Sequence, residues 1–305
     1  TRLHADRFLA PTPIRIVVDH PLTDDLPKTI GVIGLGTMGG AMAANLIKGG
    51  FEVIGFDIDA DSCSRLAELG GQVAASASDV VGDAKINIFS LPSPAALIET
   101  AKGMTGRNFA SGRPVILETS TLAISDKLEA CRLFFGAGIE LLDCPLSGTG
   151  AQALTADLVV FGSGDEPSFD KCIPMLKAIS HTQHYLGEFG NGTRMKMIAN
   201  LLVAIHNAAA GEAFVLGIKA GLDPQLVYDV ISGSAGTSRM LEVRGPMMVA
   251  DDYDGATMKM DLWKKDMDII GSFAKELGVI APLFEASAGL YTKGLEDGRD
   301  KQDTA

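Results

Sequence analysis

Thr29-Ile30-Gly31-Val32-Ile33-Gly34-Leu35-Gly36-Thr37-Met38-Gly39 decides the fold. A short apolar, strand-prone run passes directly into Gly-x-Gly-x-x-Gly, and a helix-forming stretch over 38–48 follows. Glycine-rich turns arise by chance in a chain with 35 glycines, so the strand before and the helix after carry the signal. Gly34 permits the tight turn. Gly36 lets the backbone approach a pyrophosphate with no Cβ in the way, and Gly39 allows close helix–strand packing. Free N–H groups and the helix dipole favour an anion at that helix start. Gly34, Leu35, Gly36, Thr37, Met38 and Gly39 are therefore candidate coenzyme-binding residues.

Asp57 closes the second apolar run, over 52–56, at about the 20-residue distance from the glycines where such folds place a ribose-binding acid. A carboxylate there accepts from the ribose hydroxyls and repels a 2′-phosphate. Ile58, Asp59, Ala60 and Asp61 supply no arginine to hold that phosphate. The expected coenzyme is NAD rather than NADP.

Further apolar runs at 85–89, 115–117 and 140–142 alternate with helical stretches at 62–69 and 125–135, the pattern of βαβ units on a parallel sheet. Strands over 158–161 and 184–186, with a helix over 167–178 between them, continue the series. The pattern changes after Gly192. Residues 193–220 contain no proline and are rich in Ala, Leu, Ile and Met, which predicts one long helix, apolar enough to be buried on most sides. Asp223-Pro224 caps another helix, and 258–277 and 282–293 read as two more. The expected architecture is an α/β Rossmann-type parallel-sheet domain over 29–192 followed by an all-α helical domain over 193–305, with 1–28 an extension before the first strand.

The formal net charge of −12 argues against nucleic acid as a partner, because phosphate contacts need clustered Lys and Arg. No uninterrupted apolar run reaches the ~18–20 residues of a membrane span, and residues 1–28 lack the apolar core of a signal peptide. A cytoplasmic protein with no membrane partner is expected. Cys63, Cys131, Cys144 and Cys172 show no metal or disulfide spacing and read as buried free thiols. His181 and His184 lack partners that would complete a metal site, so no metal is expected.

Several separated motifs then fall in one order. Gly34 to Gly39 continues through Met42-Ala43 and Asn45-Leu46. Leu91-Pro92-Ser93 follows the next strand, and Glu118-Thr119-Ser120-Thr121 ends the one after it. Asp143-Cys144-Pro145-Leu146-Ser147-Gly148-Thr149-Gly150 comes next. Gly187-Glu188-Phe189-Gly190-Asn191-Gly192 leads through Thr193-Arg194-Met195 to Lys196, with Asn200 four residues on, and Lys265-Asp266-Met267 lies beyond.

In this series, from about Thr29 to the C-terminus, the chain resembles the β-hydroxyacid dehydrogenases, the group containing 3-hydroxyisobutyrate dehydrogenase and tartronate semialdehyde reductase. Two positions depart from the pattern: Glu118 stands where the family has Asp, and Thr149 replaces the second glycine of the substrate turn. The resemblance implies that Leu91 and Pro92 pass along the coenzyme and that Ser120 lies near the nicotinamide and the substrate carboxylate. It implies that Ser147, Gly148 and Thr149 bind that carboxylate and that Lys265 reaches into the coenzyme and substrate cleft. The implied substrate is a small hydroxy acid or semialdehyde such as 3-hydroxyisobutyrate, glycerate or tartronate semialdehyde.

Lys196 and Asn200 share a helix face among apolar neighbours. A lysine in such a place is costly unless paired or working, and burial favours the neutral amine that exchanges protons. Lys196 is thus the expected general acid/base, with Asn200 orienting the amine or the substrate hydroxyl. A 6-phosphogluconate dehydrogenase-like enzyme would need a longer helical half and basic residues for a sugar phosphate. An imine reductase-like enzyme or a non-catalytic dinucleotide-binding module would lack the lysine. The side chains that choose the acid are expected around Trp263 and Met240; the apolar long helix points to an oligomer, and the resemblance implies a homodimer or homotetramer.

Overall fold

The computed structural model describes residues 15–16, 27–107, 109 and 112–305, so the 1–28 extension lies almost wholly outside the described residues. In chain order the elements are β1 (Arg15–Ile16), β2 (Thr29–Ile33), α1 (Thr37–Lys48), β3 (Glu52–Phe56), α2 (Ala60–Glu68), β4 (Gln72–Val73), α3 (Ala77–Asp83), β5 (Ile86–Phe89) and α4 (Pro94–Gly103). They continue with β6 (Val115–Glu118), α5 (Ile124–Gly136), β7 (Glu140–Asp143), β8 (Leu146–Ser147), α6 (Gly150–Leu154), β9 (Val159–Gly162), α7 (Glu166–Ile179) and β10 (Thr182–Tyr185). Helices alone follow: α8 (Asn191–Lys219), α9 (Pro224–Ser232), α10 (Arg239–Ala250), α11 (Met260–Glu276) and α12 (Pro282–Glu296). Two compact units join in sequence at Lys196 and Met197, inside α8.

The first unit holds a six-stranded parallel sheet of order β4-β3-β2-β5-β6-β7. The strand order reverses between β2 and β5, which opens a crevice at the carboxyl ends of those two strands. The central strands β5 and β6 are buried throughout and mostly apolar, Asn87 and Glu118 excepted, because both sheet faces are covered. Ile30 and Val32 of β2 pack with Met42 and Leu46 of α1 in one core, whereas Ile33 packs with Val81, Leu97 and Phe134 in the other.

The strands over 158–161 and 184–186 do not continue that sheet. β9 and the slightly earlier β10 form a second sheet, of order β1-β10-β9-β8, in which only β9 and β10 run parallel. The alternating burial of β9 and β10, in contrast to the fully buried β5 and β6, marks strands covered on one face. Short elements (β4, α3, β8, α6) and the proline-containing α10 also escape periodicity, being too brief or too irregular to show a period.

In the second unit, α8 differs from expectation. By length and composition it is apolar enough to cross a membrane, and only 28% of its most apolar window is buried. Uninterrupted apolar runs do not reveal this, because Lys196, Asn200, His206 and Asn207 break the run. The asparagines show how the helix packs: Asn200 donates to Asp266 and Asn207 to Tyr291 Oη, partners within a folded helical unit. Met195, Ile198, Leu202, Val215 and Leu216 remain exposed in the single chain. Trp263 packs in the helical core with Met267, Phe284 and Tyr291 at 2% exposure. Met240 is half-buried.

At the far side of the parallel sheet from β4, Glu118 and Asp143 stand directly opposite each other at the ends of β6 and β7. Both are fully buried. Lys127, on the apolar stripe that α5 forms with Ala130 and Phe134, places its Nζ 2.6 Å from Glu118 Oε2 and 2.8 Å from Asp143 Oδ1. Burial would lower the pKa of Lys127, but the charges of Asp143 and Glu118 override it and raise the pKa above the ordinary lysine value. Removing the cation strands two buried carboxylates, so Lys127→Met is expected to cost about 3–5 kcal/mol in chemical denaturation. Because the folded pKa is raised, this contribution is complete below the unfolded lysine value of about 10.4 and fades as pH climbs past it. The difference in unfolding free energy between wild type and Lys127→Met should accordingly shrink as the pH rises above that value; a difference that stayed constant well above it would contradict the assignment.

Candidate active site

The glycine loop lies at the crevice where the strand order reverses. Gly34 takes φ +87° and its N–H donates to Phe56 O at 3.0 Å. A Cβ on Gly39 would sit 1.8 Å from the Gly34 carbonyl oxygen, so this glycine is required by packing alone. Gly36 is different. Its φ of −65° suits any residue, and a Cβ there would meet nothing within 4 Å. Neither the fold nor the backbone needs glycine at that point. The open space at the N-terminus of the 12-residue α1 is what an approaching pyrophosphate needs, so the residues present fit a dinucleotide. Leu35 and Gly39 are buried, whereas Gly36 and Thr37 are exposed and Met38 is half-buried.

Asp57, half-buried at the end of β3, accepts from Leu35 N at 2.6 Å and from Asp59 N at 2.9 Å. Its carboxylate is thereby fixed beside the glycine loop. One arginine does occur further on: Arg65 of α2 lies 3.7 Å from Asp59 and donates to Ser62 Oγ, so its charge is already matched by an acid.

Across the crevice, Ser120 Oγ accepts from Leu91 N at 2.8 Å, and Ser120 N donates to Glu118 Oε1 at 2.9 Å. The two predicted segments beyond β5 and β6 are thus bonded to each other. Pro92 is exposed beside Leu91, and Ser93 caps α4 by accepting from Ala96 N.

The turn predicted to hold a carboxylate lies beyond β8. Ser147 ends that strand, Gly148 takes φ +138°, and Thr149 is the N-cap of α6. Thr149 N donates to Gln152 Oε1 at 3.0 Å. The departure from glycine therefore has a physical role, a capping box, but it engages one backbone N–H expected to be available for an anion. The turn is seated on α1: a Cβ on Gly150 would lie 2.8 Å from Thr37 Cγ2, and Asn45 Nδ2 donates to Ala153 O at 2.6 Å.

The N-terminal turn of α8 is anchored on Asp143. Thr193 donates to it through N (2.8 Å) and Oγ1 (2.7 Å), while Gly192 N donates to Ser163 Oγ at 3.0 Å. One turn later Lys196 is 8% exposed. Met197 beside it is buried, whereas Met195 and Ile198 are not, so the helix buries a stripe and not its whole circumference. Within the helical unit, Asn200 is 4% exposed and its Nδ2 donates to Asp266 Oδ2 at 3.1 Å. Asp266 also faces Lys265 Nζ at 3.6 Å. Asn200 is therefore oriented by an acid of the Lys265-Asp266-Met267 segment, a link that motif reading does not supply. Motif reading likewise misses Lys127 and Gln152, and it includes Asp143 without its bonds to Lys127 and Thr193. The signal is present in part, as a lone lysine on the apolar stripe of α5 facing acids at two adjacent apolar strand ends.

Comparison with known proteins agrees with this arrangement. Residues 29–187 match the NAD-binding domain of 6-phosphogluconate dehydrogenase, and residues 190–305 match the domain described as the NAD-binding one of NADP-dependent 3-hydroxyisobutyrate dehydrogenase. The chain is 30% identical to L-threonate dehydrogenase of Escherichia coli K12, over 90% of this chain and 91% of that one. It is also 30% identical to glyoxylate/succinic semialdehyde reductase 1 of Arabidopsis thaliana, over 88% and 93%. Among solved structures, 3-hydroxyisobutyrate dehydrogenase of Mycobacterium tuberculosis with L-serine superposes with a TM-score of 0.81 at 28% identity, covering 91% of this chain and 96% of that one. With its dinucleotide-type sheet unit, its helical unit and the motifs of both, the chain belongs to the β-hydroxyacid dehydrogenase family of NAD(P)-dependent oxidoreductases.

Proposed function

We propose that this chain interconverts a small hydroxy acid and its carbonyl counterpart, with NAD as the preferred coenzyme and Lys196 as the proton-transfer residue. The observation that carries the reading is the burial of Lys196 one turn into a helix whose start is fixed on Asp143. When bound, the nicotinamide coenzyme accepts hydride from the carbinol carbon or returns it to the carbonyl. Gly36, Thr37 and the first N–H groups of α1 hold its pyrophosphate, and Asp57 accepts from its ribose. Ser120 and the turn at Ser147 and Gly148 orient the substrate carboxylate. Lys196 takes the hydroxyl proton in oxidation and gives it back in reduction, with Asn200 on the same helix face as its neighbour. A substrate of 3-hydroxyisobutyrate, glycerate or threonate type meets these requirements, bearing a carboxylate a short distance from the reacting hydroxyl.

Lys196→Ala is expected to lower kcat by several orders of magnitude, in line with loss of both positioning and general acid–base catalysis, while NADH still binds. Near wild-type turnover by that variant in a screen of 2- and 3-hydroxy acids would remove the lysine from the mechanism.

The fixed Asp57 carboxylate supports NAD, although the matching domain of the helical half is described for an NADP-dependent enzyme. In fluorescence titrations NADH should bind more tightly than NADPH. Gly36→Ala should weaken NADH binding with little change in melting temperature, because its methyl enters open space. Gly39→Ala should instead lower the melting temperature, because its methyl meets the Gly34 carbonyl. Unchanged NADH affinity in Gly36→Ala would refute the pyrophosphate placement.

A second copy of the chain is the proposed cover for the apolar face of α8, where Val215, Leu216 and Leu290 border a groove of about 540 Å³. Light scattering should give a dimer or tetramer, and Leu216→Lys should dissociate it; a monomeric wild type at micromolar concentration would exclude this.

A further inference from the structure

The buried Lys127 joins the two halves of the proposed site. Glu118 and Asp143 are register partners on adjacent strands, and like charges directly opposite one another repel. Each carboxylate also holds a functional segment. Glu118 Oε1 accepts from Ser120 N, and Ser120 Oγ in turn accepts from Leu91 N. Asp143 accepts from Thr193 N and Oγ1, three residues before Lys196. Through Lys127 a continuous bonded path therefore runs from the Ser120 turn to the first turn of α8. Lys127 itself, at 1% exposure, reaches neither coenzyme nor substrate.

We propose that Lys127 is a positioning residue, whose twin ion pair with Glu118 and Asp143 sets the spacing between the substrate-holding Ser120 and the proton-transfer residue Lys196. The inference rests on the roles given above to Ser120 and Lys196. Its chemical logic concerns this chain's own departure from the family pattern. Glutamate at 118 brings its carboxylate one methylene further from the backbone than aspartate would, and Lys127 is the cation that receives it. Without the tether the ends of β6 and β7 lose their attraction, and the two segments relax independently.

A structural role and a positioning role separate in kinetics. Loss of folded enzyme lowers apparent kcat at constant KM, whereas a displaced carboxylate site raises KM as well. Lys127→Met and the double variant Lys127→Met/Glu118→Gln are compared with wild type by thermal unfolding, NADH titration and steady-state kinetics on the hydroxy acid turned over fastest. The double variant removes one negative charge along with the cation, and the amide that replaces the Glu118 carboxylate retains an oxygen for Ser120 N. It should regain part of the melting temperature that Lys127→Met loses and bind NADH within about twofold, yet lose at least about tenfold in kcat/KM through both a lower kcat and a higher KM, as expected for a misplaced reacting group. Recovery of wild-type kcat and KM together with the melting temperature would overturn the proposal, as would a loss confined to kcat in both variants. An inactive Lys196→Ala alongside fully active Lys127 variants overturns this inference alone. An active Lys196→Ala overturns the reading of the site, and this inference with it.

Discussion

Two carboxylates face each other at the carboxyl ends of neighbouring parallel strands, and neither reaches water. In a low-dielectric interior such a pair is tolerable only with a cation and further hydrogen-bond donors in place. Lys127 supplies the cation from α5, and Thr193 supplies two donors from the start of α8. One positive and two negative charges leave an excess negative charge, and its location matters. Asp143 receives the N-terminal N–H of a long helix as well as a hydroxyl, so the helix start shares in neutralising it. The ionic cluster therefore orients three elements at once: the face of α5, the ends of β6 and β7, and the start of the helix that carries Lys196.

On the other side of the crevice the fold uses a different means. The glycine loop is held by steric fit, with Gly39 pressed against the Gly34 carbonyl and Gly34 bonded to Phe56 O. Asp57, half-buried, then ties the loop to the end of β3. The contact between Leu91 N and Ser120 Oγ joins the segments after β5 and β6. Close packing of this kind is insensitive to charge, whereas the ends of β6 and β7 depend on it. A perturbation that neutralises a buried acid should accordingly loosen the proposed substrate side before it disturbs the coenzyme loop.

Periodicity and motif spacing make the first unit legible because its central strands are buried and mostly apolar and its glycines have positional jobs. Thr29–Ile33, Glu52–Phe56 and the loop between them follow from local chemistry alone. The second sheet is not legible in this way, because β9 and β10 have the composition of further parallel strands, and only long-range pairing assigns them elsewhere. The packing of Trp263 against Tyr291 cannot be read from spacing, since aromatic side chains serve equally in cores and pockets. Lys127 escapes notice for a related reason. A single lysine in a helix usually lies in solvent, and its meaning appears only when two acids distant in sequence are brought to it.

The two departures from the family pattern share a logic. Glu118 is matched by Lys127, and Thr149 by Gln152, whose side-chain oxygen takes the Thr149 N–H. In each case a changed residue has its partner within the same unit, so the backbone path is kept while the set of available donors changes. On the reading proposed above, the engaged N–H of Thr149 leaves Ser147 and Gly148 more of the task of holding a substrate carboxylate, and Ser120, fixed through Glu118 and Lys127, gains weight in it. On that reading substrate choice depends less on the identity of the motif residues than on the partners that fix them. A residue exchanged for its family counterpart without its partner would leave a buried acid or a helix start unsatisfied, so these positions are constrained as pairs.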